Sequence, residues 1–100
     1  MKRVMVRYKL KADRIEENEQ LVRNVYEGLK QTAPDGLRYA TFKLEDGVSF
    51  VHVASIETDG PNPLPQLPAF QAFLEGIKER CEEPPAAVDL TEIGSYRFFD

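Results

Sequence analysis

The stretch Gly36-Leu37-Arg38-Tyr39-Ala40-Thr41-Phe42-Lys43-Leu44-Glu45-Asp46-Gly47-Val48-Ser49-Phe50-Val51-His52-Val53-Ala54-Ser55-Ile56-Glu57 decides how the rest of the chain is read. Two runs rich in β-branched and aromatic residues flank Asp46-Gly47, which supplies the positive-φ positions that a tight turn needs. The stretch predicts a β-hairpin. With a two-residue turn, Glu45 lies opposite Val48, and the ladder pairs Thr41 with His52, Tyr39 with Ala54 and Leu37 with Ile56. A three-residue loop would change these partners. Phe50 shares the face of those pairs, while Ala40, Phe42, Val51 and Val53 share the other. The second arm is therefore apolar on both faces, and each face needs a covering layer.

Working outward, residues 3 to 11 alternate, with Val4, Val6, Tyr8 and Leu10 set against Arg3, Met5, Arg7, Lys9 and Lys11. That pattern is a strand with one apolar and one mixed basic face. Asp13 with Glu16 three residues on reads as a capping box opening a helix from Arg14 to about Thr32. Its stripe is Ile15, Val22, Val25, Tyr26 and Leu29, and Gly28 within it suits close packing against the sheet. Ala33-Pro34-Asp35-Gly36 turns the chain into the hairpin. Beyond Glu57, four prolines between Pro61 and Pro68 predict a stiff extended segment without regular structure. Pro68 suits the first turn of a second helix carrying Phe70, Phe73, Leu74, Ile77 and Cys81 as one stripe, which Glu82-Glu83-Pro84-Pro85 stops. A last strand carries Val88 and Leu90, with a bend near Gly94 where the apolar parity switches to Ile93. Tyr96, Phe98 and Phe99 predict a docked tail.

The predicted order is β-α-β-β-α-β: an α+β, ferredoxin-like antiparallel sheet, strand order 4-1-3-2, with both helices on one face. The whole chain, residues 1–100, reads as one domain. The uncovered sheet face is apolar in its centre, and a homodimer packed through that face is the economical way to bury it. The 42% hydrophobic and 30% charged composition is that of a globular protein, and no run approaches the length of a membrane span. The N-terminus enters a strand pattern directly, without the apolar core of a signal peptide. With a single cysteine, Cys81, this predicts a cytoplasmic protein. A net charge of −4 disfavours nonspecific binding to nucleic acid or to anionic membranes.

His52, the only histidine, is the candidate general base, because imidazole titrates near neutrality and would sit beside Thr41 and Tyr39. A strand histidine satisfied by neighbours in a partly polar core is the competing reading. Tyr8, Tyr39, Tyr26 and Tyr96 offer rings and orienting hydroxyls to an aromatic guest, against the commoner role of core packing. Arg7 and Arg38 are candidates for a carboxylate, or plain surface or interface charges. Cys81 reads as buried and inert. No metal-ligand cluster, phosphate loop or nucleophile motif is present.

The strand Val4-Met5-Val6-Arg7-Tyr8-Lys9-Leu10-Lys11 before an acidic helix, Pro34-Asp35-Gly36-Leu37 into the hairpin, Phe50-Val51-His52-Val53-Ala54, and Pro68-Ala69-Phe70-Gln71-Ala72-Phe73-Leu74 together resemble the antibiotic biosynthesis monooxygenase (ABM)-like domain of the dimeric α+β barrel superfamily. The resemblance spans nearly the whole chain in element order. It implies protomers whose sheets pack face to face in a dimer, each with a ligand cavity between sheet and helices. It also implies chemistry without metal, flavin or other cofactor, since an electron-rich phenolic ring, once deprotonated, reduces oxygen itself. On that reading His52 is the catalytic residue, and Tyr8, Tyr39, Thr41, Phe50, Phe70 and Phe73 contact a small aromatic substrate. A non-catalytic binding or structural dimer of the same superfamily is the alternative. Haem-degrading relatives use an Asn, a Trp and a His where this chain has Val6, Ile56 and no histidine, which argues against that activity. RNA-recognition domains share the element order and overlap at Gly47, Phe50 and Val51. Yet Asp46 replaces their basic residue, and Val48, Val53 and Met5 stand where stacking rings are needed.

Overall fold

A computed structural model describes residues 1–98. The elements are β1 (Lys2–Leu10), α1 (Ile15–Thr32), β2 (Leu37–Lys43), β3 (Ser49–Ile56), a 3₁₀ turn (Leu64–Gln66), α2 (Pro68–Leu74), α3 (Ile77–Arg80) and β4 (Cys81–Leu90). The four strands form one antiparallel sheet in the order β2-β3-β1-β4, the ferredoxin-like order expected from the sequence. Tyr8 and Leu10 of β1, Phe50 and Ala54 of β3, and Val22 and Val25 of α1 join Leu64, Leu67, Phe73 and Ile77 in one buried cluster between sheet and helices.

The hairpin register is the expected one: Thr41 faces His52, Tyr39 faces Ala54 and Leu37 faces Ile56. Its turn is different. The last ladder bond runs from Leu44 N–H to the Ser49 carbonyl at 2.8 Å, leaving a four-residue loop in which Gly47 takes the positive φ of 77°. Asp46 organises that loop, accepting from the backbone N–H of Val48 and Ser49 and from the Ser49 hydroxyl. These bonds hold its carboxyl down to about 2. A four-residue loop preserves the pairing of a two-residue one because both keep the same residues opposite each other. Gly36 is bound more tightly: at φ 74° a Cβ would lie 2.8 Å from Thr58 Cβ.

Elsewhere local signals gave way to tertiary ones. No capping box forms at Asp13; α1 begins after Arg14, which pairs with Glu17 at 2.8 Å. Gly28 meets not the sheet but Leu67, whose Cδ1 would be 3.1 Å from an added Cβ. The proline-rich segment is not wholly extended. Its 3₁₀ turn buries Leu64, and the Asn62 side chain accepts from Leu64 N–H at 3.0 Å. The second helix does not run on to Cys81. It breaks at Glu75-Gly76, where Gly76 has φ 74°, and Leu74 is left exposed. After the single turn of α3, Cys81 already belongs to β4. Pro84-Pro85 do not end an element; they lie inside β4, where the pairing shifts between Arg7–Ala86 and Lys9–Glu83. An edge strand tolerates prolines because one row of its N–H groups has no partner to lose. The irregularity expected near Gly94 sits at those prolines instead, and β4 stops at Leu90. Ile93, Tyr96 and Phe98 stay largely exposed, beside Arg3 and Val53, and Phe99 lies outside the described residues. No helix among the described residues is long and apolar enough to cross a membrane.

Candidate active site

A cavity of about 180 Å³ lies between the helix face of the sheet and α2. Its polar wall is Tyr8, Tyr39 and His52; Phe70, Phe73, Val6, Ala54, Leu64 and Ile77 make most of the rest. The strand period puts this wall together. Val6, His52 and Thr41 are cross-strand neighbours, as are Val4, Ala54 and Tyr39, so these side chains leave the sheet on one face. Asn62, from the proline-rich loop, also borders the cavity, and no Asp, Glu, Lys or Arg lines it. A wider groove along the polar face of α1 is lined by Glu16, Glu19, Arg23 and Lys43. Both of its cations already pair with Glu19, Arg23 at 3.2 Å and Lys43 at 3.0 Å.

His52 is only 5% exposed, and both ring nitrogens are engaged. Nε2 is 2.8 Å from the Tyr8 hydroxyl; Nδ1 is 2.5 Å from the Tyr39 hydroxyl and 3.1 Å from Thr41 Oγ1. Burial pulls its pKa down to about 4, so the imidazole is neutral at neutral pH. Burial pushes the Tyr8 and Tyr39 hydroxyls up, so both remain protonated. Tyr8 also accepts from Asn18 Nδ2 at 2.9 Å, and Asn18 Oδ1 accepts from Arg80 Nε at 3.2 Å.

Among the residues singled out from the sequence, His52, Tyr8, Tyr39, Phe70 and Phe73 come together at the cavity. Thr41 and Phe50 do not line it. Thr41 stands behind His52 and bonds Tyr26 Oη at 2.7 Å, and Phe50 stacks on Tyr8 with ring centroids 5.7 Å apart. Tyr26 backs Tyr39 at a centroid separation of 5.4 Å, whereas Tyr96 is in the exposed tail, under the Arg97 guanidinium. Arg7 points from the opposite sheet face and Arg38 pairs with Glu57 at 3.2 Å, so neither serves this cavity. Cys81 is buried, and burial raises its thiol pKa. Asn18 and Arg80 escaped the sequence reading. Asn18 had a visible signal: it occupies the stripe between Ile15 and Val22, yet it is polar. Among the described residues, no three His, Cys, Asp or Glu side chains gather where they could hold a metal ion.

No protein-family model and no curated protein sequence matches the chain. Solved structures do. A protein from Nitrosomonas europaea assigned as an antibiotic biosynthesis monooxygenase superposes with a TM-score of 0.73 at 16% identity, over 92% of this chain and 89% of the other. Rv0793 from Mycobacterium tuberculosis matches at 0.70 and 18% identity, over 94% of this chain and 96% of the other. A variant of SnoaB, a cofactor-independent oxygenase from Streptomyces nogalater, matches at 0.69 and 12% identity, over 96% of both chains. The chain therefore has the fold of the antibiotic biosynthesis monooxygenase proteins, as the resemblance in its sequence implied.

Proposed function

We propose that this protein belongs to the antibiotic biosynthesis monooxygenases and oxygenates a small, single-ring phenol or hydroquinone without metal or flavin. The observation that carries this reading is the apolar cavity with one polar wall. About 150 Å³ holds a benzene-sized guest, so a space of about 180 Å³ suits one ring with a few substituents. SnoaB, with the same fold, is a cofactor-independent oxygenase. In such a reaction the phenolate passes one electron to O2, and the aryloxyl radical and superoxide combine into a C–O bond. Loss of water then leaves a quinone. The ring gives up four electrons in all, one oxygen atom enters it and the other departs as water. Phe70, Phe73 and Tyr8 would hold the ring, and Tyr39 its oxygen. His52 would fix Tyr39 rather than take the proton, since burial leaves its imidazole a weak base; Thr41 and Phe50 would support from behind.

The test is oxygen uptake with single-ring hydroquinones under labelled O2. The expected result is uptake above the buffer rate with one labelled atom in the quinone, falling on the order of 100-fold in Tyr39→Phe or His52→Ala, the loss typical of one oxyanion donor. Rates equal with and without protein would remove the oxygenase reading. Ring binding without uptake would leave the non-catalytic binding member in its place.

A second copy of the chain is the proposed cover for the open sheet face. Met5, Val53 and Ala40 are cross-strand neighbours there, Phe42 is 51% exposed and Val88 47%. The tail beyond β4 adds Ile93 and Tyr96 at the same side, near Arg3 and Val53. Light scattering should give twice the 11.4 kDa chain mass, and the pair Phe42→Glu with Val88→Glu should give the single chain. A wild-type monomer at micromolar concentration would refute the dimer. The lone buried thiol accords with a cytosolic setting.

A further inference from the structure

Arg80 is 2% exposed, and none of the ion pairs among the described residues includes it. Taking a guanidinium out of water costs several kcal/mol unless its donors are satisfied. Here they meet neutral acceptors. Nη1 donates to the Glu75 carbonyl at 2.9 Å, Nη2 to the Phe73 carbonyl at 2.6 Å and Nε to Asn18 Oδ1, with the Phe73 ring 5.6 Å away. The positive charge is thus retained inside the core with no carboxylate at ion-pair distance, although exposed Glu17 on α1 feels its field.

Its direction propagates. An arginine can only donate, so Asn18 must present Oδ1 to it and therefore Nδ2 to Tyr8. Having accepted that N–H, the Tyr8 hydroxyl turns its own proton to His52 Nε2, 2.8 Å away. A neutral imidazole that accepts at Nε2 carries its proton on Nδ1. That proton is donated to Tyr39 Oη, with Thr41 Oγ1 at the longer distance. None of these bonds uses the proton of Tyr39 itself; its hydroxyl also has Thr41 within hydrogen-bond reach, so a guest oxygen competes with Thr41 for that proton at the cavity wall. Four consecutive hydrogen bonds point the same way, from a buried permanent cation to a donor at the cavity wall. Chains of aligned hydrogen bonds polarise one another.

We infer that Arg80, acting through Asn18, Tyr8 and His52, makes Tyr39 a polarised donor to an anionic oxygen, so that the cavity takes a single-ring guest as its phenolate. The inference rests on the reading of the cavity as an aromatic site and specifies the charge state it selects. Arg80 and Asn18 are positioning residues; Tyr39 is the group that touches the guest. The charged and titratable groups about the site are Tyr8 on β1, Tyr26 and Glu17 on α1, Tyr39 on β2, His52 on β3, and Arg80 on α3 with Cys81 beside it. The three tyrosines and His52 are neutral at neutral pH, burial keeps the Cys81 thiol protonated, and Glu17, which feels Arg80, is exposed and paired with Arg14. The one buried charge behind the cavity wall is therefore positive.

The experiment is a visible titration of para-nitrophenol bound to the full chain, since its phenolate absorbs visible light and its phenol does not. An apolar wall alone raises the pKa of a bound phenol. The relay is expected to overcome this, so that the bound dye ionises about one unit below the free dye, an effect typical of hydrogen bonding to the charged form. Tyr39→Phe and Arg80→Met are each expected to move that titration above the free value while nitrobenzene, which has no hydroxyl, still binds. Tyr39→Phe keeps the test decisive even if Arg80→Met fails to fold. A dye bound only as the phenol, a lowered titration that survives Tyr39→Phe, or no dye binding at millimolar concentration would each overturn the inference. A lowered titration without oxygen uptake would uphold it and remove the oxygenase reading alone.

Discussion

Between pH 6.5 and pH 4 the fold is expected to lose about 3 kcal/mol of stability through His52 alone. The ordinary value of 6.5 is pulled down to about 4 by burial. In that window the unfolded chain binds a proton that the native chain does not, so stability rises with pH and falls on acidification. Well above 6.5 both states are neutral and His52 contributes no slope. The carboxylates act lower. Asp46 is held at about 2 by Ser49 and the loop backbone, and Glu57 is kept below the usual range by Ser55 and then Arg38. The slope between neutrality and about pH 5 therefore belongs to the histidine. Urea unfolding at stepped pH should show it in the wild type and lose most of it in His52→Gln, which is less stable overall but cannot titrate. A flat wild-type profile over that interval would mean that the imidazole is solvated and the Tyr8–His52–Tyr39 network is not formed as described.

Truncating Arg80 is the second large effect. Arg80→Ala leaves the Phe73 and Glu75 carbonyls and Asn18 Oδ1 without their donor and opens a void against Phe73. Buried unpaired polar groups cost about 1–3 kcal/mol each, partly relieved by water in the new space. A loss of about 4 kcal/mol is expected. Arg80→Met refills most of the volume and should cost roughly half as much, because packing is largely restored while the acceptors stay unpaired. Against a total stability of about 5–15 kcal/mol for a domain this size, Met is the tolerable change and Ala the dangerous one. Denaturant midpoints for the two variants read this directly. Equal, small losses below about 1 kcal/mol would mean that the guanidinium reaches solvent and holds nothing in place.

The hairpin was legible because two independent constraints agreed. Apolar residues at both parities of Phe50–Ile56 demanded a central strand, and Asp46-Gly47 located the turn; a three-residue loop stayed open until the structure fixed the register. His52 beside Thr41 and Tyr39 followed from that register. The boundary after α2 was not legible. Phe73, Leu74, Ile77 and Cys81 keep helical spacing, and Pro84-Pro85 look like a stop, so local pattern favours one long helix. Pairing along the free edge of β1 outweighs it, drawing Cys81–Leu90 into the sheet with the prolines at a register shift. Nor did spacing reveal the groups behind Tyr8. Asn18 comes from α1, 10 residues after Tyr8, and Arg80 from α3, 62 residues after Asn18.

The order of strands and helices, the helix face of the sheet and the aromatic residues available to a cavity are properties of the sequence itself, because they follow from side-chain period and turn chemistry over a few residues. The charge state of His52, the sense of the relay from Arg80 to Tyr39, and the removal of Thr41 and Phe50 from the cavity wall were decided only in the folded chain. Burial and hydrogen-bond direction depend on which groups from distant segments exclude water around one another, and no local stretch of sequence carries that information.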